Sequence, residues 1–236
     1  MRILSLTHGP LVGAELFGDV AREAGHDLVE WEIVSQGRPA ENGFDAVMVF
    51  GGAMNVGEEL ANPWLHDEYD LLRGWVSSGT PLLGVCLGAQ TLAYAAGARV
   101  VPAETRYAGF YETVLTDAGA TDVVLGVLPR RFEALNANGY RFDVPERAVA
   151  LAEGPVPQAY RLGERAWGVQ FHPEVRREQV LAWWAEREEL PRPLEELDAE
   201  LAAKLPAWQE LGRRLCRAFL AAASSTRPQR GRRSSG

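Results

Sequence analysis

Three features of this 236-residue chain predict an α/β fold built on an open, mostly parallel sheet with helices on both faces. Short apolar runs at 2–6, 45–50 and 81–85 read as buried strands. Segments of helical apolar spacing at 14–24, 63–78 and 87–96 alternate with them, as in a doubly wound sheet. Glycine-bearing turns then follow the C-terminal ends of several strands, the edge where an open parallel sheet has its ligand crevice.

Arg2 to Leu6 is the first strand. Thr7-His8-Gly9-Pro10 turns at its C-terminal end, which makes His8 a candidate for touching substrate. Leu16, Phe17, Val20 and Ala24 mark one face of a helix that Gly25 stops. Asp27 to Ile33 alternates as a second strand. Asp45 to Phe50 is a third, apolar after Asp45, and the Gly51-Gly52 turn behind it lets backbone N–H groups approach a ligand closely. In the next helix Asn62 is expected as N-cap and Pro63 as the first helical residue. Leu65, Tyr69, Leu72 and Val76 form its buried stripe, Asp67, Glu68 and Asp70 a solvated face, and Gly79 its end. Residues 98–116 and 122–134 read as strands and turns without a clear helix. Short strands over 148–152, 158–161 and 167–171 precede helices over 178–189 and 194–223. Trp183, Trp184, Leu197, Leu201, Leu205, Trp208, Leu211, Leu215 and Phe219 are spaced to pack on the parent domain. The expected organisation is a domain over 1–190, a helical addition packed on it over 191–223, and a Ser/Arg/Gly-rich disordered tail over 224–236.

Composition narrows the function classes. A net charge of -8 argues against a general nucleic-acid binder. No apolar run approaches the roughly 20 residues of a membrane span. The chain enters its first strand at once, so no leader is expected. Cys86 and Cys216 show no disulfide spacing, which fits a reducing cytoplasm. With His8, His26, His66 and His172 they give no metal-ligand spacing, so neither a metal nor another cofactor is expected.

The chemistry-bearing stretch is Pro81-Leu82-Leu83-Gly84-Val85-Cys86-Leu87-Gly88-Ala89-Gln90. An apolar strand runs into a helix with Cys86 at the junction, flanked by Gly84 and Gly88. That is a nucleophile elbow, in which the two glycines remove side chains that would collide across a sharp turn. The thiol then lies at a helix N-terminus, where the macrodipole favours the thiolate. A second apolar strand ends in Phe171-His172-Pro173-Glu174. A cysteine nucleophile needs a base and a group to orient that base, and His172 and Glu174 are the candidates.

Gly84-Val85-Cys86-Leu87-Gly88-Ala89-Gln90, Gln170-Phe171-His172-Pro173-Glu174 and Phe50-Gly51-Gly52-Ala53-Met54 together resemble the class I, triad-type glutamine amidotransferases. The resemblance covers 1–175 and is nearest to domains like the amidotransferase part of GMP synthase. It implies a flavodoxin-like fold, with 98–116 and 122–134 as a small antiparallel extension covering the site, and attack of Cys86 on the glutamine side-chain amide, with loss of ammonia and release of glutamate by water. It also implies that Gly52 and Leu87 donate the N–H groups of the oxyanion hole, and that Gln90 contacts the glutamine. Ala137-Asn138-Gly139-Tyr140 falls where relatives carry a histidine, a glycine and an acid or aromatic residue. Here Asn138 takes the histidine position, while Gly139 followed by Tyr140 resembles members like the small subunit of carbamoyl phosphate synthetase, which hold glutamine with that backbone. Tyr107-Ala108-Gly109-Phe110 is a looser match to a family loop. With no Walker-type loop or second catalytic domain here, a synthetase accepting the ammonia is expected as a separate polypeptide. Amidotransferases of this type commonly hold the oxyanion hole misaligned until such a partner docks, and the Gly51-Gly52 peptide is suited to that rotation. The alternatives are a stand-alone hydrolase of a γ-glutamyl compound or peptide and a non-catalytic binding subunit.

Overall fold

The computed structural model describes residues 1–186 and 189–225. Strand and helix alternate through the first half: β1 (Arg2–Thr7), α1 (Glu15–Glu23), β2 (Asp27–Glu32), α2 (Ile33–Gln36), β3 (Ala46–Val49), α3 (Trp64–Ser78), β4 (Leu82–Val85) and α4 (Leu87–Ala95). Then come β5 (Val100–Pro102), β6 (Gly109–Leu115), α5 (Asp117–Thr121), β7 (Arg131–Asn136), β8 (Tyr140–Phe142), β9 (Ala148–Glu153), β10 (Pro157–Leu162) and β11 (Ala166–Val169). Two helices follow, α6 (Arg177–Ala185) and α7 (Leu194–Ser224). No helix among the described residues is long and apolar enough to cross a membrane.

Nine strands form one sheet in the order β2-β1-β3-β4-β11-β10-β9-β6-β7. Neighbours from β2 to β11 are parallel, in the 2-1-3-4-5 order of flavodoxin-like sheets with β11 as the fifth strand. From β11 to β7 every pair is antiparallel, so the antiparallel extension continues the main sheet. β5 and β8 pair apart from it as a two-stranded ribbon.

Side chains on the parallel strands alternate between two cores, as the strand period of two requires. Ile3, Met48, Phe50, Leu83 and Val85 face the layer containing Phe17 of α1 and Leu201, Trp208, Leu215 and Phe219 of α7. Leu4, Leu6, Val47, Val49 and Leu82 face Leu72 and Trp75 of α3 and Leu92 of α4. α7 therefore covers one face of the sheet and shares its core.

Several local expectations shift. β2 stops at Glu32, because Ile33 turns inward as the buried first residue of α2. The helical assignment of α3 starts at Trp64 without a side-chain cap, although Pro63 already has the helical φ of -62°. Glu68 does not belong to a solvated face: it is fully buried on the inner side of α3. The strand expected from 122 begins only at Arg131, since the Asp122 carboxylate accepts from Val124 and Leu125 N–H at 2.8 and 3.1 Å and tightens that stretch into a 3-10 turn. α5, which periodicity does not announce, is capped by Thr116 Oγ1 accepting from Gly119 N–H at 3.0 Å. The helix expected over 178–189 is observed over Arg177–Ala185, with 187 and 188 outside the described residues. Of the tail expected over 224–236, everything from 226 onward also lies outside them.

Candidate active site

Cys86 sits between β4 and α4 with φ 52° and ψ -107°, one of two non-glycine residues of positive φ among those described. Such a conformation is strained for any residue with a Cβ and persists only where the surroundings impose it. The surroundings are tight. A Cβ on Gly84 would lie 2.5 Å from the Gly88 carbonyl oxygen, and one on Gly88 would lie 2.2 Å from the Val49 oxygen. Both elbow glycines are thus required by close backbone approach. Cys86 N–H donates to Val169 O at 2.8 Å, which ties the elbow to β11, and the Cys86 carbonyl opens α4 by accepting from Ala89 and Gln90 N–H.

Because β4 and β11 are adjacent and parallel, with Val85 paired to Val169, the chain leaves both strands side by side. His172, three residues past the end of β11, thereby reaches the elbow. Its Nδ1 lies 2.9 Å from Glu174 Oε1, and the buried ring is close enough to the Cys86 side chain to interact with it electrostatically. Burial opposes charging of the imidazole, but Cys86 and the Glu174 carboxylate outweigh it and raise its pKa. The imidazolium form is thus favoured beside the sulfur.

The segment carrying His172 is held from three sides. His172 N–H donates to Leu135 O at 2.8 Å, and Leu16 N–H of α1 donates to Glu174 O at 2.9 Å. From α7, Trp208 Nε1–H donates to His172 O at 2.7 Å and Gln209 Nε2–H to Val175 O at 3.0 Å. Gly212 approaches so closely that a Cβ there would meet the Pro173 oxygen at 2.0 Å. Trp208→Phe preserves most of the packing but leaves the buried His172 carbonyl without its donor. It should lower stability by about 1–3 kcal/mol. Urea denaturation checks this, and an unchanged midpoint would remove the clamp from the account.

Gly52 and Leu87 both line a cavity of about 670 Å³ shared with Cys86 and His172. Among the described residues neither the Gly52 nor the Leu87 N–H donates a hydrogen bond. Gln90, Asn138, Gly139 and Tyr140 line the same cavity. Gln90 Nε2 donates to Tyr140 O and to Gln170 Oε1, each at 3.1 Å, and Gln170 Nε2 in turn donates to Cys86 Sγ at 3.6 Å. Asn138 Nδ2 also donates to Tyr140 O, at 2.9 Å. The Tyr140 carbonyl already accepts from two amide groups, so it serves to order the loop around the elbow. All sequence-selected site residues therefore meet at one place.

Two further residues of the site, Gln170 and Trp183, were not among the sequence candidates for it. Gln170 stands inside the matched motif, yet only the fold shows its side chain reaching the thiol. Trp183 packs against the His172 ring with centroids 4.8 Å apart. His8 lines the cavity but offers no free nitrogen to a substrate: Nδ1 is 2.8 Å from Gly51 O and Nε2 2.5 Å from Glu68 Oε2. Cys216 lies apart, fully buried, its pKa pushed up to about 12 by burial.

The class-I glutamine amidotransferase family model matches residues 19–180. The chain belongs to that family. Among its relatives is the glutamine-hydrolysing GMP synthase of Thermomicrobium roseum, 36% identical over 107 residues that cover 44% of this chain and 20% of that protein. The chain thus spans about a fifth of the length of the first curated relatives it matches. One subunit of the glutamine-hydrolysing GMP synthase of Ignicoccus hospitalis is 31% identical over 140 residues, 58% of this chain and 70% of that polypeptide. Among solved structures, a glutamine amidotransferase of Thermotoga maritima superposes with a TM-score of 0.77 at 25% identity, covering 95% of this chain and 99% of that one. One from Methylobacillus flagellatus, at a TM-score of 0.79 and 20% identity over 98% of each chain, shares the fold.

Proposed function

We propose that this chain hydrolyses the side-chain amide of glutamine through Cys86, His172 and Glu174 and releases ammonia to a separate synthetase. The observation that carries this is one line of groups: a strained cysteine at a helix N-terminus, a buried imidazole beside it, and a buried carboxylate hydrogen-bonded to that imidazole. His172 takes the Cys86 proton and the thiolate attacks the amide carbon. The Gly52 and Leu87 N–H groups receive the oxyanion, each worth roughly 3 kcal/mol in comparable enzymes. His172 returns the proton to the leaving nitrogen, ammonia departs, and a γ-glutamyl thioester remains. Water, deprotonated by His172, cleaves it to glutamate and the free thiol. Glu174 holds the imidazole in register throughout. Gln90, Asn138, Gly139 and Tyr140 shape the wall against which the glutamine lies.

The proposed unit is a domain over 1–190 completed by the helix of 191–223, and its two unpaired cysteines fit a cytoplasmic setting. The relative from Ignicoccus hospitalis, one subunit of a GMP synthase, supports a partner polypeptide as ammonia acceptor. Ammonia release from glutamine, beside a panel of γ-glutamyl amides, tests the substrate. An electrophilic glutamine analogue should label Cys86 and spare Cys216, read by peptide mass spectrometry. Equal labelling of both would mean that Cys86 is not specially activated.

A further inference from the structure

His8 and Glu68 are 2% and 0% exposed, and neither has a part in the chemistry above. They come from different elements, the turn after β1 and the middle of α3, and meet directly behind the Gly51-Gly52 turn. We propose that they form a latch that sets the Gly51–Gly52 peptide and thereby aims the Gly52 N–H at the oxyanion. This rests on the oxyanion hole just described.

A carbonyl oxygen can only accept, so His8 Nδ1 carries a proton and donates it to Gly51 O at 2.8 Å. At the other end of the ring, Nε2 meets Glu68 Oε2 at 2.5 Å. The ring face stacks on Trp64, with centroids 5.1 Å apart and planes 25° apart. Both nitrogens and one face are therefore committed. Burial works against a charged His8, but Glu68 outweighs it and raises its pKa, which keeps a hydrogen on Nδ1.

The consequence follows from the peptide group itself. No cis bond occurs in the described chain. In a trans peptide the C=O and the following N–H point in opposite directions within one plane. A bond that fixes Gly51 O thus also fixes the Gly52 N–H, on the side away from the imidazole. With glycine on both sides, this peptide has little steric resistance to flipping, so the hydrogen bond supplies the restraint. The rotation expected from the sequence therefore has a definite cost, the loss of this bond. Glu68 fits the same role. Its Oε1 is buried without a partner, an expensive arrangement on a helix face that an apolar residue would fill more cheaply. What the carboxylate provides is an imidazole fixed in orientation by a bond at Nε2.

Three variants test the latch. His8→Leu removes the donor, His8→Asn places an amide nitrogen where Nδ1 stood, and Glu68→Gln keeps shape while removing charge. His8→Leu should lower kcat for glutamine by roughly a hundredfold or more, with KM nearly unchanged, because the missing bond acts mainly on the transition state. Alkylation of Cys86 by iodoacetamide, a displacement at saturated carbon that forms no oxyanion, should keep its rate. His8→Asn should recover much of the loss, and Glu68→Gln should fall between. The 15N–1H resonance of Gly52 should move in His8→Leu and return in His8→Asn. A His8→Leu protein with wild-type kcat, or one that loses alkylation in step with turnover, overturns the proposal. Should the wild-type chain release no ammonia, the hydrolysis reading is what fails; the Gly52 resonance then decides the latch alone, and its staying put in His8→Leu overturns it.

Discussion

Cys86→Ser should lose about 10⁴-fold or more in kcat for glutamine while its melting temperature stays near that of the wild type. The two side chains are close in size, and the elbow geometry is imposed by Gly84, Gly88 and the bond from Cys86 N–H to Val169 O rather than by sulfur. What changes is the nucleophile: a serine alkoxide is far harder to form beside this imidazole than a thiolate. His172→Ala should be nearly as inactive. Glu174→Ala should lose less, since orienting the base is a smaller task than moving the proton. Because these residues act as one unit, the triple variant should be little worse than Cys86→Ser alone. Cys86→Gly adds a stability arm. It relieves a positive φ whose strain is of order 1–3 kcal/mol, so this inactive protein should melt no lower than the wild type. Turnover at the wild-type rate in Cys86→Ser would end the covalent reading.

Removing the chain from Leu194 onward should abolish folding and activity together. α7 buries Leu197, Leu201, Leu205, Trp208, Leu215, Phe219 and Leu220 in the core that also holds Phe17, Leu83 and Val85. At about 1.5–3 kcal/mol for each large apolar side chain, their loss matches or exceeds the 5–15 kcal/mol that holds a typical domain folded. Circular dichroism melts and ammonia release, measured on the same truncated protein, check this. A cooperative melt with an unchanged midpoint would show that α7 is dispensable to the core.

What the sequence revealed was local. Gly84, Cys86 and Gly88 could be read because a sharp strand-to-helix turn imposes its steric demands within five residues. His172 and Glu174 could be read because two residues separate them. The parallel half of the sheet was legible for a similar reason, since strands buried on both faces are uninterrupted apolar runs. What stayed hidden depends on distant partners. Glu68 stands between Asp67 and Asp70 and resembles one of a solvated set, yet it lies three residues after Leu65 and four before Leu72, on the buried stripe. That spacing was the available signal, but nothing near it in the chain names His8, 60 residues earlier, as its hydrogen-bond partner. The bond from Trp208 to His172 was unreadable for the same reason. Spacing showed that Trp208 would be buried, not which carbonyl its indole would meet. α5 and the 3-10 turn depend on single polar caps, Thr116 and Asp122, whose effect appears only once the neighbouring strands are placed.

The clamp of α7 on the His172–Pro173 segment also bears on how the protein is made. Synthesis proceeds from the N-terminus, and on a ribosome the nucleophile and its base both emerge before residues 194–224. Until then the carbonyls of His172 and Pro173 lack the helix that covers them, and the sheet face that α7 covers is open to water. A nascent chain therefore carries every reacting group yet has no settled arrangement of them. On the proposed chemistry the site gains its full support only once α7 is made, so chains that stop short of it should not hydrolyse glutamine.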